Sequence, residues 1–253
     1  MSDDLALAER AARAAGAVLL ERFGGPAEGL DVKSSATDPV SDADREAERA
    51  IRALLEAERP GDGIVGEEEG SRQTRGNGRQ WVVDPLDGTV NFLYGIPQWC
   101  VSIALEDERG TLAGVVLDPV RDELFDATRD GGARLNAAAL RVREPAELAR
   151  ALVATGFGYQ EGHRAEQAEV VRRVLPRVRD VRRAGSAALD LAWVAAGRLD
   201  GFYERGLHHW DWAAGRLLVT EAGGEVRELP GEPFGLVAAA PSLLEPLERL
   251  VAT

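Results

Sequence analysis

Trp81-Val82-Val83-Asp84-Pro85-Leu86-Asp87-Gly88-Thr89-Val90-Asn91-Phe92 is the stretch that decides how this chain is read. Residues 81–83 form an apolar run suited to a short buried strand, which delivers Asp84 at its end. Pro85 has no N–H to give a neighbouring strand, so pairing is expected to stop there. Gly88 frees the backbone just before Thr89, where a helix can begin. Two carboxylates and several N–H groups thus gather around one turn. Hard divalent cations prefer carboxylate oxygens, and N–H groups at a helix start attract phosphate. One reading is a metal-assisted phosphate site. The other is an ordinary pair of Asp-Pro and Asp-Gly turns, and the motif alone does not separate them.

Upstream, Leu5, Ala8, Ala12, Ala15, Val18, Leu19 and Phe23 recur at helical spacing and Gly24-Gly25 ends the pattern,. Residues 26–40, with Lys33 in a VKSS segment, read as strand plus loop. Ser41 can cap a second helix to about Arg59, with Ile51, Leu54 and Leu55 inward and its many charges outward. Ile64-Val65 read as a short strand leading into Gly66-Glu67-Glu68-Glu69-Gly70, and residues 70–80 as a polar surface loop. Downstream, residues 101–105 and 112–117 are apolar runs split by a charged turn, a hairpin signal, and Leu124-Phe125 begins another strand.

From about residue 145 strands and helices alternate: strand 151–155, helix 163–175, an Ala-rich helix 186–197, strand 201–204, helix 209–222, strand 235–239 and a last helix from Pro241. The pattern predicts a mixed α/β (α+β) chain of layered helices and sheets. Residues 1–253 are expected to form a single unit, with an N-terminal half (1–144) carrying the metal motifs and a C-terminal half (145–253) carrying the substrate pocket.

The 253 residues are 45% hydrophobic with a formal net charge of −13. A nucleic-acid surface should be basic, so no nucleic-acid partner is expected, and an anionic substrate needs a local device to overcome the overall field. Cys100 is the single cysteine, which excludes an intrachain disulfide and zinc-finger spacing and is expected to be core. The acidic N-terminus lacks the basic start and apolar centre of a signal peptide, and no apolar run approaches the roughly 18 residues of a membrane span. A cytoplasmic protein without a membrane partner is expected.

Acids recur where predicted strands end or helices start: Asp44 in Asp38-Pro39-Val40-Ser41-Asp42-Ala43-Asp44, Glu67 in the GEEEG run, Asp84 with Asp87, and Asp211 in His209-Trp210-Asp211. Each has an ordinary account. Asp44 and Asp211 suit helix N-terminal turns, and Glu67 suits a solvated run. Together they supply the oxygen ligands of a multi-magnesium site.

In combination, Lys33 with DPVSDAD, GEE, WVVDPLDGTVNF, RAGSAA, DGFYE (200–204) and WDWAAG followed by EAGG resemble the inositol monophosphatase family of magnesium-dependent, lithium-sensitive phosphatases, over nearly the whole chain. The resemblance implies an αβαβα layered sandwich and a homodimer. It implies that Glu67, Asp84 and the Leu86 carbonyl hold a first Mg²⁺, and that Asp84, Asp87 and Asp211 hold a second, with two or three ions in all. Asp44 is implied as the partner of Thr89, and Gly88 and Thr89 as the phosphate cradle, with Lys33 in a secondary role. A water on the first metal, positioned by Glu67 and Thr89, would attack phosphorus directly.

The resemblance also implies that Gly185, Ser186, Ala187 and Glu204, with Asp87 and Asp211, line a pocket for a phosphorylated polyol or sugar. Arg205 could pair Glu204 or meet a second phosphate. Inositol 1-phosphate is the substrate expected. The family's fructose-1,6-bisphosphatases, histidinol-phosphatases and nucleotide 3′-phosphatases share these motifs and stand as alternatives. A non-catalytic metal-binding regulatory or scaffold protein is the alternative of a different class. His208 and His209 are expected to pack or cap the helix start, because magnesium prefers oxygen. His163 is expected to be solvated and Trp193 to be core.

Overall fold

The computed structural model describes residues 3–25, 31–32, 39–72, 77–144 and 147–252. Lys33, and with it the secondary role expected of it, lies outside the described residues. Helices α1 (Asp3–Arg22) and α2 (Asp42–Glu58) flank a two-stranded antiparallel ribbon, β1 (Asp31–Val32) with β2 (Pro39–Val40). There follow β3 (Gly63–Gly66), β4 (Gly70–Arg72), β5 (Gln80–Asp87), α3 (Thr89–Leu93), β6 (Cys100–Asp107), β7 (Gly110–Asp118), β8 (Glu123–Thr128), β9 (Gly132–Leu135) and β10 (Ala138–Ala139). These eight strands make one sheet in the order β10-β9-β8-β7-β6-β5-β3-β4, antiparallel except where β3 runs beside β5.

The second sheet holds β11 (Leu152–Thr155), β12 (Asp180–Arg182), β13 (Gly201–Arg205), β14 (Glu225–Glu228) and β15 (Gly235–Ala239), in the order β12-β11-β13-β15-β14. Between its strands run α4 (Glu161–Val174), α5 (Ala187–Ala195) and α6 (His209–Glu221), and α7 (Pro241–Val251) closes the chain.

Pleating explains the layers. Successive side chains of a strand point to opposite faces, and both faces of β5 are apolar. Trp81 and Val83 join Leu5 and Leu19 of α1 and Ile51 and Leu55 of α2 in one core. Val82 joins Leu191 of α5, Leu218 of α6 and Phe202 of β13 in another. A third core lies under α7, where Leu244 and Leu247 meet Val153 and Val237 of the second sheet. Helices therefore cover the outer face of each sheet and α5 and α6 fill the space between them. Being in the middle, α5 is apolar nearly all round: Ala188, Leu189, Leu191, Ala192 and Val194 are all buried,. This is a mixed α/β fold, helix–sheet–helix–sheet–helix.

Several local expectations need correction. The strand expected over 81–83 continues to Asp87. Asp84 pairs with Ser102 and Asp87 with Cys100, so β5 carries one extra residue between them. The bulge drops Pro85 out of the ladder, which removes the need for its missing N–H. Residues 70–72, expected in a loop, pair with β3 as β4. Glu48 and Arg52 of α2 were expected outward with the helix's other charges but are buried. His163 is half-buried rather than solvated, and Trp193 only partly buried, against the core. Arg205 meets neither Glu204 nor a ligand-facing space; it donates to the carbonyls of Pro230 and Pro233. No helix of the described residues is long and apolar enough to cross a membrane.

Candidate active site

A cleft of about 700 Å³ opens between the two sheets, within the size range of small-molecule sites. Glu67, Asp84, Leu86, Asp87, Gly88 and Thr89 form one wall, and Gly185, Ala187, Glu204 and Asp211 another. The turn after β3, the strand β5, the strand β13 and the helix α6 thus deliver five acids to one space.

The floor is built by the bulge of β5 and the start of α3. Asp84, 2% exposed, accepts the Leu86 N–H at 3.0 Å. Gly88 sits at φ +103° as the residue before α3. A Cβ there would approach the Gln98 carbonyl oxygen to 2.9 Å, so both its conformation and its close packing call for glycine. The Thr89 hydroxyl lies 3.1 Å from Asp44 Oδ1 and 3.1 Å from the Leu86 carbonyl oxygen. Asp44 is fully buried behind it, near the start of α2, and its other oxygen accepts the Ser41 N–H at 2.9 Å and the Ser41 hydroxyl at 2.6 Å. The capping box that starts α2 therefore also fixes the partner of Thr89.

Asp87 Oδ2 accepts the Ser186 hydroxyl and the Ala188 N–H, each at 2.7 Å. Ser186 was expected in the substrate pocket. Its side chain is instead buried at the start of α5, committed to Asp87, and only its neighbours Gly185 and Ala187 line the cleft. Cys100 packs behind them, its Sγ 3.5 Å from the Ser186 hydroxyl. Asp211, in the first turn of α6, accepts the His208 N–H at 2.7 Å. His208 stacks on Trp210, both lining the cleft, and His209 packs on Trp212 and meets Glu106.

Among the described residues no three His, Cys, Asp or Glu side chains close round a point as a ready-made cage. Asp84, Asp87 and Asp211 each turn one oxygen to a protein N–H or hydroxyl. The donor set nonetheless suits a hard cation: carboxylates and a backbone carbonyl. Its electrostatics ask for one. Burial, then the charges of Glu67, Asp87 and Asp211, push the Asp84 carboxyl well above the usual range. Burial and then Asp87 and Glu67 do the same to Asp211. Burial raises Asp87 to about 6 despite its hydrogen bonds to Ser186 and Ala188. Burial lifts Glu204 to about 8, Arg183 opposing. Acids gathered without a counter-charge hold their protons.

Arg183, Phe157 and His163 also line the cleft; Arg183 opens the RAGSAA segment without a role assigned to it there, His163 is expected from the sequence to be solvated, and nothing in the sequence marks Phe157. Among the described residues Arg183 is the one arginine or lysine that lines the cleft, and its guanidinium lies 5.8 Å above the Phe157 ring. It is the first residue of the RAGSAA segment, whereas its neighbour Arg182 turns away to Asp180.

Residues 1–251 match the sequence profile of the inositol monophosphatase family. An inositol-1-monophosphatase from Mesorhizobium japonicum is 49% identical over 195 residues, covering 77% of this chain and 73% of that one. A protein named Nus factor SuhB from Pasteurella multocida is 40% identical and covers 97% and 94% of the two chains. The crystal structure of the extragenic suppressor protein suhB from Bartonella henselae superposes with a TM-score of 0.93 at 40% identity, covering 99% of this chain and 98% of that one.

Proposed function

The chain belongs to the inositol monophosphatase family, a family of phosphatases, and from that premise we propose that it hydrolyses a phosphate monoester with the aid of Mg²⁺, with inositol 1-phosphate as the preferred substrate. The observation that carries the reading is the convergence of Glu67, Asp84, Asp87 and Asp211 on the cleft that Thr89 and Glu204 also line. Glu67, Asp84 and the Leu86 carbonyl would hold one ion, and Asp84, Asp87 and Asp211 the next. When bound, such ions lower the pKa of water, stabilise a leaving alkoxide and cancel the mutual repulsion of these acids.

The chain's own groups supply position. The Thr89 hydroxyl has Asp44 and the Leu86 carbonyl as acceptors for its one hydrogen, so it offers lone pairs to a water placed for in-line attack on phosphorus. Because water is the nucleophile, no phosphorylated side chain forms. The Gly88 and Thr89 N–H groups receive the phosphate oxygens. Glu204 meets the polyol from the facing wall; a carboxyl keeps acceptor oxygens for ring hydroxyls in either protonation state. Asp211 lies where the leaving oxygen emerges. The same reading makes the protein a cytoplasmic homodimer, its halves 1–144 and 145–253 acting as one unit.

Phosphate release with Mg²⁺ tests it, comparing inositol 1-phosphate, fructose 1,6-bisphosphate, histidinol phosphate and adenosine 3′,5′-bisphosphate. The reading expects inositol 1-phosphate to lead. A lead for another ester keeps the metal chemistry and overturns the substrate. A second reading, a regulatory protein, draws on the Nus factor name borne by the Pasteurella multocida relative. It expects Mg²⁺ binding with no phosphate released from any of the four.

A further inference from the structure

We propose that the buried Glu48–Arg52 pair of α2 is a positioning device for Glu67, setting the geometry of its turn and thereby the affinity of the acidic site for its divalent cation. The proposal rests on the metal reading given above.

An i,i+4 glutamate–arginine pair on an amphipathic helix normally belongs to the solvated face. Here Glu48 is fully buried and Arg52 is 8% exposed. Burying two charges is costly unless every donor and acceptor is used, and the partners used here are those of a single turn. Glu48 Oε2 accepts the Glu68 N–H at 2.7 Å, and Oε1 accepts the Glu69 N–H at 3.1 Å and Arg52 Nε at 2.7 Å. Arg52 Nη2 donates to the Gly70 carbonyl at 2.6 Å, and Arg52 Nε lies 3.6 Å from the Glu69 carboxylate.

The approach is so close that a Cβ on Gly66 would stand 2.1 Å from Glu48 Oε1. Position 66 therefore has to be glycine for the carboxylate to reach beneath the turn. On the far side, the Glu67 N–H donates to the Val83 carbonyl at 3.2 Å, next to Asp84. The backbone of Glu67 is thus fixed from two directions: β5 holds it directly, and α2 holds the two residues that follow. An apolar residue at 48 could fill the same volume but could not receive the two N–H groups. The charged pair fixes one conformation of the turn, and that conformation aims Glu67 at the cleft.

The test compares the wild-type protein with Glu48→Gln and Arg52→Met. Mg²⁺ binding is measured by calorimetry, folding by circular dichroism and thermal melting, and inositol 1-phosphate turnover across Mg²⁺ concentrations. Groups that orient metal ligands typically change affinity by about 10–100-fold when removed. We expect each folded variant to bind Mg²⁺ about tenfold more weakly, while kcat at saturating Mg²⁺ stays within about threefold of wild type. Arg52→Lys keeps the charge and should recover part of the lost affinity. If Glu48→Gln fails to fold, Arg52→Met and Arg52→Lys carry the comparison. Wild-type Mg²⁺ affinity in folded variants, or a loss confined to kcat, overturns the proposal while leaving the metal reading intact. Absence of Mg²⁺ binding by the wild type overturns both.

Discussion

The Thr89 hydroxyl reaches the Asp44 carboxylate at 3.1 Å, across 45 positions of sequence. Two helix starts meet at that contact, α3 contributing the hydroxyl and α2 the acid. Thr89→Ala removes the group proposed to orient the attacking water and should lower kcat by about 10²–10⁴-fold, the usual worth of a proton-handling group. Thr89→Ser keeps a hydroxyl and should retain most of the activity. Steady-state phosphate release on the two variants checks this.

Glu204 and the residues proposed to face the phosphate, Gly88 and Thr89, line different walls of the cleft, so specificity and chemistry should separate. Glu204→Gln keeps shape and one acceptor oxygen but replaces the second carboxyl oxygen with an amide N–H₂. We expect KM for inositol 1-phosphate to rise about tenfold, with turnover of p-nitrophenyl phosphate, which has no polyol, almost unchanged. Equal losses on both substrates would place Glu204 in the chemistry instead. A hydrogen-bonding site left without its partner is the physical basis of such discrimination.

Among the described residues that line the cleft, Arg183 is the one arginine or lysine, in a protein of net charge −13. It is exposed, so its attraction for an anionic substrate is screened by salt. Arg183→Ala should raise KM several-fold at low ionic strength and less at 0.5 M salt, with kcat little altered. Kinetics at two salt concentrations decide the point.

Asp190 links the site to stability. Its carboxyl is buried in the α5 layer, its Oδ1 has no hydrogen-bond partner among the described residues, and burial, then Glu204 and Asp87, push it well above the usual range. A raised acid binds more protons folded than unfolded, so its contribution is complete below about pH 4 and is lost as pH rises through the folded value. Asp190→Asn should leave stability nearly unchanged near pH 4 and increase it at pH 8. Urea unfolding at the two pH values, on the protein kept at fixed Mg²⁺, measures the difference.

Contiguous chemistry was legible in the sequence and tertiary chemistry was not. Asp84, Asp87, Gly88 and Thr89 share one turn, so their carboxylates and N–H groups could be read together from spacing alone. The amphipathic period of α1 and the hairpin of β6 and β7 were legible for the same reason: local pattern decides them. The continuation of β5 past Pro85 was hidden because a bulge depends on the partner strand. Strands β9, β12 and β14 are short or lie at sheet edges and carry little apolar signal. Glu48 and Arg52 look like any solvated i,i+4 pair until the turn at Gly66 is packed against them. Ser186 was assigned to the ligand pocket, whereas its hydroxyl faces Asp87, a distinction of side-chain direction that spacing does not encode.

Asp84 is the acid that both proposed ion positions share, and it tests the account most directly. Phosphate release from inositol 1-phosphate by Asp84→Asn is measured at saturating Mg²⁺, beside thermal melting of the metal-free protein. The account predicts near-complete loss of turnover with the fold retained. It also predicts a melting temperature at neutral pH higher than that of metal-free wild type, because an acid that folding forces to hold its proton among other acids costs stability above its unfolded pKa,. Substantial turnover by the folded variant at saturating Mg²⁺ would contradict it.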